Sequence, residues 1–195
     1  MNVYDFDGTI YDGDSSIDFY LFCIKRKPSI LFRSIIKQLS GAILYAIKRI
    51  PKEKYKEKYF SFLKYVSTND QLLNDFWSTK SKKIKKWYLN QKAKSDVIIS
   101  ASPEFLLRPI CNRLGVSLIA SKVDPSTGRF AGKNCHGQEK VKRFIELYPN
   151  ETIDEFYTDS KSDYPFAALA TKTYMVKKDE ITELRFGIKN EEDYN

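Results

Sequence analysis

Asn2-Val3-Tyr4-Asp5-Phe6-Asp7-Gly8-Thr9 carries a short β-prone run that ends in two aspartates and a glycine. Side chains two apart on a strand point the same way, so Asp5 and Asp7 converge while Phe6 packs on the other face. Gly8 then lets the backbone turn sharply. Two carboxylates brought together at a sheet edge repel one another, and a cation is what keeps both ionised. Hard oxygen ligands at an open, water-accessible edge favour magnesium over zinc. Taken alone, the stretch fits equally a strand end whose acids are solvated and cap the next turn.

Working outward, β-rich runs alternate with helical stretches, the pattern of a parallel sheet with crossover helices, so the expected fold class is α/β with a Rossmann-like core. Residues 2–6 form the first strand and 96–101 the second. Ser102, Pro103 and Glu104 read as cap, first helical position and favourable charge of a helix that stops at Gly115. Residues 117–123 are a third extended run, which the turn cluster from Asp124 to Gly128 folds back onto residues 129–131 as a hairpin. A helix over 138–148, a fourth strand over 153–158, a short helix over 164–170 and a fifth strand over 173–177 follow. Residues 190–195 are polar and acidic, as expected of a frayed end.

Residues 15–95 show the helical period instead. Ile17, Leu21 and Ile24 share one face; Phe32, Ile36, Leu39, Ile43 and Ile47 a second; Tyr55, Tyr59, Phe62 and Val66 a third; Phe76, Ile84, Trp87 and Tyr88 a fourth. The expected organisation is a core of residues 1–14 and 96–195 interrupted by a cap of about four helices over 15–95. Charge divides along the same line. The chain of 195 residues has a net charge of +8, yet residues 15–95 hold 19 Lys and Arg against 5 Asp and Glu, a net of +14, leaving −6 elsewhere. Hydrophobic residues at 42% and aromatics at 14% exclude a disordered or low-complexity chain. The most apolar region, 30–50, is broken by Arg33, Lys37, Lys48 and Arg49, and its uncharged middle is too short to span a bilayer.

Other landmarks meet at the same sheet edge as Asp5. Ser100 ends the second strand, Lys140 opens the helix before the fourth, and Asp159 and Asp163 directly follow the fourth, where open α/β sheets bind ligands. In order, DFDGT, the IIS strand end, a lysine and DSKSD resemble the four motifs of the haloacid dehalogenase (HAD) superfamily. The helical insertion after the first motif, with SASPEF and NCHGQEK, resembles its phosphoserine-phosphatase-like branch. The resemblance implies a magnesium-dependent phosphomonoester hydrolase with Asp5 as nucleophile, forming an aspartyl-phosphate, and Asp7 as general acid and base; the cytoplasmic location expected of it rests on the three scattered cysteines instead. It further implies Ser100 and Lys140 on the phosphoryl group, and a metal held by Asp5, the Asp7 carbonyl and Asp159, with Asp163 ligating through water or orienting Lys140. The substrate class implied is a small phosphorylated metabolite or a lipid- or glycan-linked phosphate.

Several residues compete for roles. Lys133 is a second lysine near the third motif, but Lys140 opens an amphipathic helix that the sheet can position. His136 reads as structural, because the chemistry already has its acid and base. Asp12 and Asp14 read as hinge or cap contacts. For a phosphoserine-like substrate, Arg49 with Glu53 or Glu57 are the candidate cap groups. Cys23, Cys111 and Cys135 show no disulfide or metal spacing and read as reduced thiols. The lysines of 80–86 beside Trp87 and Tyr88 read as a solvated helix face, which disfavours nucleic acid. The competing class of function is a non-catalytic or weakly catalytic binding module whose basic cap engages an anionic membrane or nucleic acid. The apolar helix of 30–50 is expected in the cap core, with a dimer contact or a membrane-surface element as the other placements.

Overall fold

The strands β1 (Asn2–Tyr4), β2 (Val97–Pro103), β3 (Ser117–Ser121), β4 (Ile153–Thr158), β5 (Ala170–Lys177) and β6 (Glu180–Leu184) make one sheet in the order β3-β2-β1-β4-β5-β6. All neighbours pair in parallel except β5 and β6, which are antiparallel. The computed structural model describes residues 1–184, so the expected polar end at 190–195 lies outside the described residues. The chain moves outward from β1 through β2 to β3, then returns to β4 on the other side of β1. That reversal opens a crevice at the carboxyl ends of β1 and β4.

Alternate residues of the central strands feed two separate cores. Tyr4, Ile98, Leu118 and Tyr157 pack on one face of the sheet, and Val3, Ile99, Ile119 and Phe156 on the other. With both faces covered, the strands read as nearly continuous apolar runs. In-register tyrosines stack across three strands, Tyr4 on Tyr157 at 4.8 Å and Tyr157 on Tyr174 at 4.7 Å between ring centroids. The helices α6 (Glu104–Leu114), α7 (Gln138–Leu147) and α8 (Tyr164–Ala167) make the crossovers of the core.

Between β1 and β2 lie α1 (Ser15–Arg26), α2 (Ser29–Ala46), α3 (Lys52–Tyr59), a tighter 3-10 segment (Phe60–Tyr65), α4 (Asp70–Lys80) and α5 (Lys86–Gln91), five helices rather than four. The insertion is seated firmly on the sheet. Trp77 stands edge-on to Phe6 and Tyr11 and donates its indole N–H to the Leu106 carbonyl at 2.7 Å. Lys85, nearly buried, donates to the Gly8 carbonyl at 2.8 Å and also to the Lys178 carbonyl.

Further sequence expectations change. α1 buries Phe19, Tyr20 and Cys23, leaving Ile17 and Leu21 half exposed, because Asp14 caps the helix at the Ile17 N–H (2.9 Å) and so sets its rotation. α2 does not form the cap core: Phe32, Ile36, Leu39, Ile43 and Ile47 all face outward. β6 has no counterpart in the sequence expectations, since its exposed, charge-interrupted EITEL carries no apolar face. Ser102 does not cap α6, because β2 continues through Pro103 with an irregularity after Ser100. The three cysteines are buried and unpaired, as expected of reduced thiols.

Candidate active site

The Asp5 N–H bonds the Tyr157 carbonyl at 2.9 Å, extending the β1–β4 pairing by one residue and fixing its side chain at the crevice. Lys140, the third residue of α7, is almost fully buried and lies between two acids, with Nζ 2.7 Å from Asp5 Oδ1 and 2.7 Å from Asp163 Oδ2. Burial alone would lower the lysine's pKa, but the two carboxylates outweigh it and raise it, so Lys140 is a permanent ammonium. Burial raises Asp5 against the pull of Lys140, with Asp163 and Asp159 adding to the rise.

Asp7 is held by two donors. The Ser15 N–H reaches Oδ1 at 2.6 Å and the Ser102 hydroxyl reaches Oδ2 at 2.5 Å. Burial first, then the Asp14 charge, push Asp7 up to about 6. Ser100 accepts the Ser102 N–H on its hydroxyl oxygen at 3.1 Å, which leaves the hydroxyl hydrogen to donate elsewhere. Gly8, with φ +75°, brings the chain so close to Asp159 that any side chain there would meet it.

All six residues singled out in the sequence (Asp5, Asp7, Ser100, Lys140, Asp159 and Asp163) line one cavity of about 390 Å³. Lys133 is exposed and does not line it, whereas Asp14 does. His136 also lines it, with Nε2 2.8 Å from Lys52 Nζ; burial and Lys52 lower its pKa. Arg49, Glu53 and Glu57 are not among the lining residues. The insertion contributes others instead: Lys52, Tyr55, Lys56, Tyr59 and Phe60. Lys56 donates to the Ala101 carbonyl (2.9 Å) and to Asn134 Oδ1 (3.1 Å), and burial, with Lys52 nearby, pushes it down to about 8.

Sequence reasoning missed Ser102 and Lys56. The first had a signal in Ser100-Ala101-Ser102, where a strand prolonged by two residues turns both hydroxyls toward the site. The second had none, because nothing in the period of α3 says which lysine turns inward.

The carboxylates fit a magnesium ion. Asp5, Asp159 and Asp163 crowd one ammonium, and Asp163 Oδ1 is buried without a partner, so the site carries more negative charge than Lys140 offsets. Among the described residues no group of three or more His, Cys, Asp or Glu forms a ready metal cage. Magnesium, which takes one or two carboxylates and keeps several waters, does not require one.

Comparison with known proteins bears on the fold and the family. No curated protein matches the sequence. Among solved structures, a protein of unknown function from Bordetella pertussis Tohama I superposes with a TM-score of 0.69 at 18% identity, over 89% of this chain and 87% of that one. A probable phosphoserine phosphatase from Vibrio cholerae gives 0.57 at 12% identity, over 88% and 55%. A phosphoserine phosphohydrolase-like protein from Francisella tularensis subsp. tularensis SCHU S4 gives 0.50 at 16%, over 89% and 86%. Residues 3–168 match the haloacid dehalogenase-like hydrolase family, and with the match running from β1 past α8 the chain belongs to that family.

Proposed function

We propose that the protein is a magnesium-dependent phosphomonoester phosphatase working through an aspartyl-phosphate on Asp5. The observation that carries this reading is the pairing in one cavity of an acid held by a buried ammonium with a second acid held by the Ser15 N–H and the Ser102 hydroxyl. In the first step a carboxylate oxygen of Asp5 attacks phosphorus, the bond to the leaving oxygen breaks, and Asp7 passes its proton to that oxygen. In the second, Asp7 takes a proton from water as the water oxygen attacks phosphorus, and the Asp5 carboxylate is released. A value of about 6 lets Asp7 both give and regain the proton.

Lys140 offsets charge between Asp5 and the phosphoryl oxygens, and the Ser100 hydroxyl donates to one of them. Asp5, Asp159 and the Asp7 carbonyl would hold the metal, which when bound supplies further charge neutralisation. Asp163, with Oδ2 engaged by Lys140 and by Thr158 Oγ1 at 3.0 Å, orients the lysine and has Oδ1 left for a metal-bound water. Residues 1–14 and 96–195 are the catalytic unit in this reading, and 15–95 the cap that supplies the leaving-group wall through Tyr55, Tyr59, Phe60, Lys52 and Lys56. That wall suits a small phosphorylated metabolite with an apolar or anionic remainder.

Phosphate release across amino-acid, sugar, nucleotide and lipid monoesters, with magnesium and with chelator, tests the proposal. We expect magnesium-dependent turnover that drops by about a thousandfold or more in Asp5→Asn, as loss of a nucleophile does. Turnover of no substrate in the panel, or an Asp5→Asn variant as fast as wild type, would overturn it.

A further inference from the structure

α2 is built inside out. Its buried positions are Ile30, Ser34 and Gly41, while Phe32, Ile36, Leu39, Ile43 and Ile47 are between 55% and 78% exposed. At 3.6 residues per turn these five fall within an arc of about 80° and form a stripe of about 22 Å. The rotation of the helix is pinned by specific contacts. Tyr20 donates to Gln38 Oε1 at 2.8 Å, and Gln38 Nε2 donates to the Tyr59 carbonyl at 3.0 Å. Gly41 lies so close to α3 that a Cβ would stand 2.8 Å from Lys58 Cβ, and Tyr45 stacks on Tyr55 at 5.0 Å. Ser34, Gln38 and Gly41 are therefore held inward along with Ile30, and the apolar stripe is presented outward.

The surrounding charge identifies what the stripe suits. Between Asp18 and Glu53 the chain holds no acidic residue and eight Lys and Arg. Lys25, Lys27, Arg33, Lys37, Lys48 and Arg49 among them are exposed. An apolar stripe with basic residues beside it and at both ends matches a helix lying in the headgroup region of an anionic bilayer. A second copy of the same face would bring two such basic stretches together without an acid between them. Among the described residues no helix is long and apolar enough to cross a membrane, so the contact is one of lying on the surface.

We propose that α2 docks the protein on an anionic lipid surface, with the stripe from Phe32 to Ile47 in the acyl boundary and the flanking Lys and Arg on the headgroups. The proposal does not depend on the phosphatase reading. The test is sedimentation of the full chain with phosphatidylcholine vesicles, with and without phosphatidylglycerol. We expect binding only when phosphatidylglycerol is present, lost at about 0.5 M salt, where charge attraction is screened within a few ångström. The double variant Ile36→Gln with Ile43→Gln should bind about tenfold more weakly or worse, and Lys37→Gln with Lys48→Gln should also weaken it. The changed positions are exposed, so circular dichroism and any turnover of a soluble monoester should stay as in wild type. Absence of binding to phosphatidylglycerol vesicles at low salt would overturn the proposal. Undiminished binding of the isoleucine variant would overturn it too, as would a solution dimer that the isoleucine changes dissociate without any vesicle binding.

Discussion

A Cβ at position 8 would sit 2.1 Å from Asp159 Oδ2, and the backbone there has φ +75°. Gly8→Ala therefore meets two penalties, about 1–2 kcal/mol for the left-handed conformation and a displacement of Asp159. If Asp159 holds the metal, the magnesium concentration for half-maximal turnover should rise about tenfold or more, alongside a lower melting temperature. An unchanged magnesium dependence would remove Asp159 from that role. Asp5 and Asp7 were legible from the β-prone run that precedes them, although β1 ends at Tyr4 and both acids lie beyond it, and Asp159 and Asp163 because they follow a strand. Ser102 was hidden by the irregularity that carries β2 two residues beyond its apolar run, and Lys56 by the many lysines around it.

Among elements, the hairpin after β3 shows how local chemistry stabilises a loop. Asp124 Oδ1 accepts from the N–H and hydroxyl of Ser126 (2.9 and 2.7 Å) and from those of Thr127 (2.7 and 2.9 Å). These bonds favour the ionised form and hold the Asp124 carboxyl down to about 2, below its ordinary 3.8. A depressed folded-state pKa contributes stability that is full above the unfolded value and fades as pH falls through the folded one. Thermal melts should accordingly show wild type more stable than Asp124→Ala by a constant margin above about pH 5, narrowing toward pH 2; a margin flat across that range would contradict the assignment. The turn itself was legible from its Asp-Pro-Ser-Thr-Gly composition. The orientation of α2 was not, because a helical period finds an apolar face without saying whether that face meets protein or something else. β6 escaped because an edge strand needs only a partner's backbone, and its side chains are selected to be charged.

At the scale of the whole molecule, insertion and sheet share one interior. Trp77 of α4 is buried against Phe6 and Tyr11, Trp87 of α5 lies 5.5 Å from Tyr157 between ring centroids, and Gly128 of the hairpin presses on the Phe60 backbone. Such sharing couples the two parts, so melts followed by near- and far-ultraviolet circular dichroism should coincide in a single transition. Trp77→Ala should lower that transition as a whole, by about 3–5 kcal/mol. Two separated transitions would show that the insertion folds apart from the sheet. The partition of charge into an acidic frame and a basic insertion was legible from the sequence; the depth to which the insertion is rooted in the frame was not, since it rests on aromatic contacts between segments far apart in the chain. The interior also sequesters every thiol of the protein. Burial pushes Cys23 and Cys111 up to about 12 and Cys135 up to about 11, leaving almost no thiolate at neutral pH. With all three thiols buried as well, the folded chain should react only slowly with maleimides, and an Ile36→Cys substitution would give it one addressable point for a polarity-sensitive fluorophore with no native cysteine to remove.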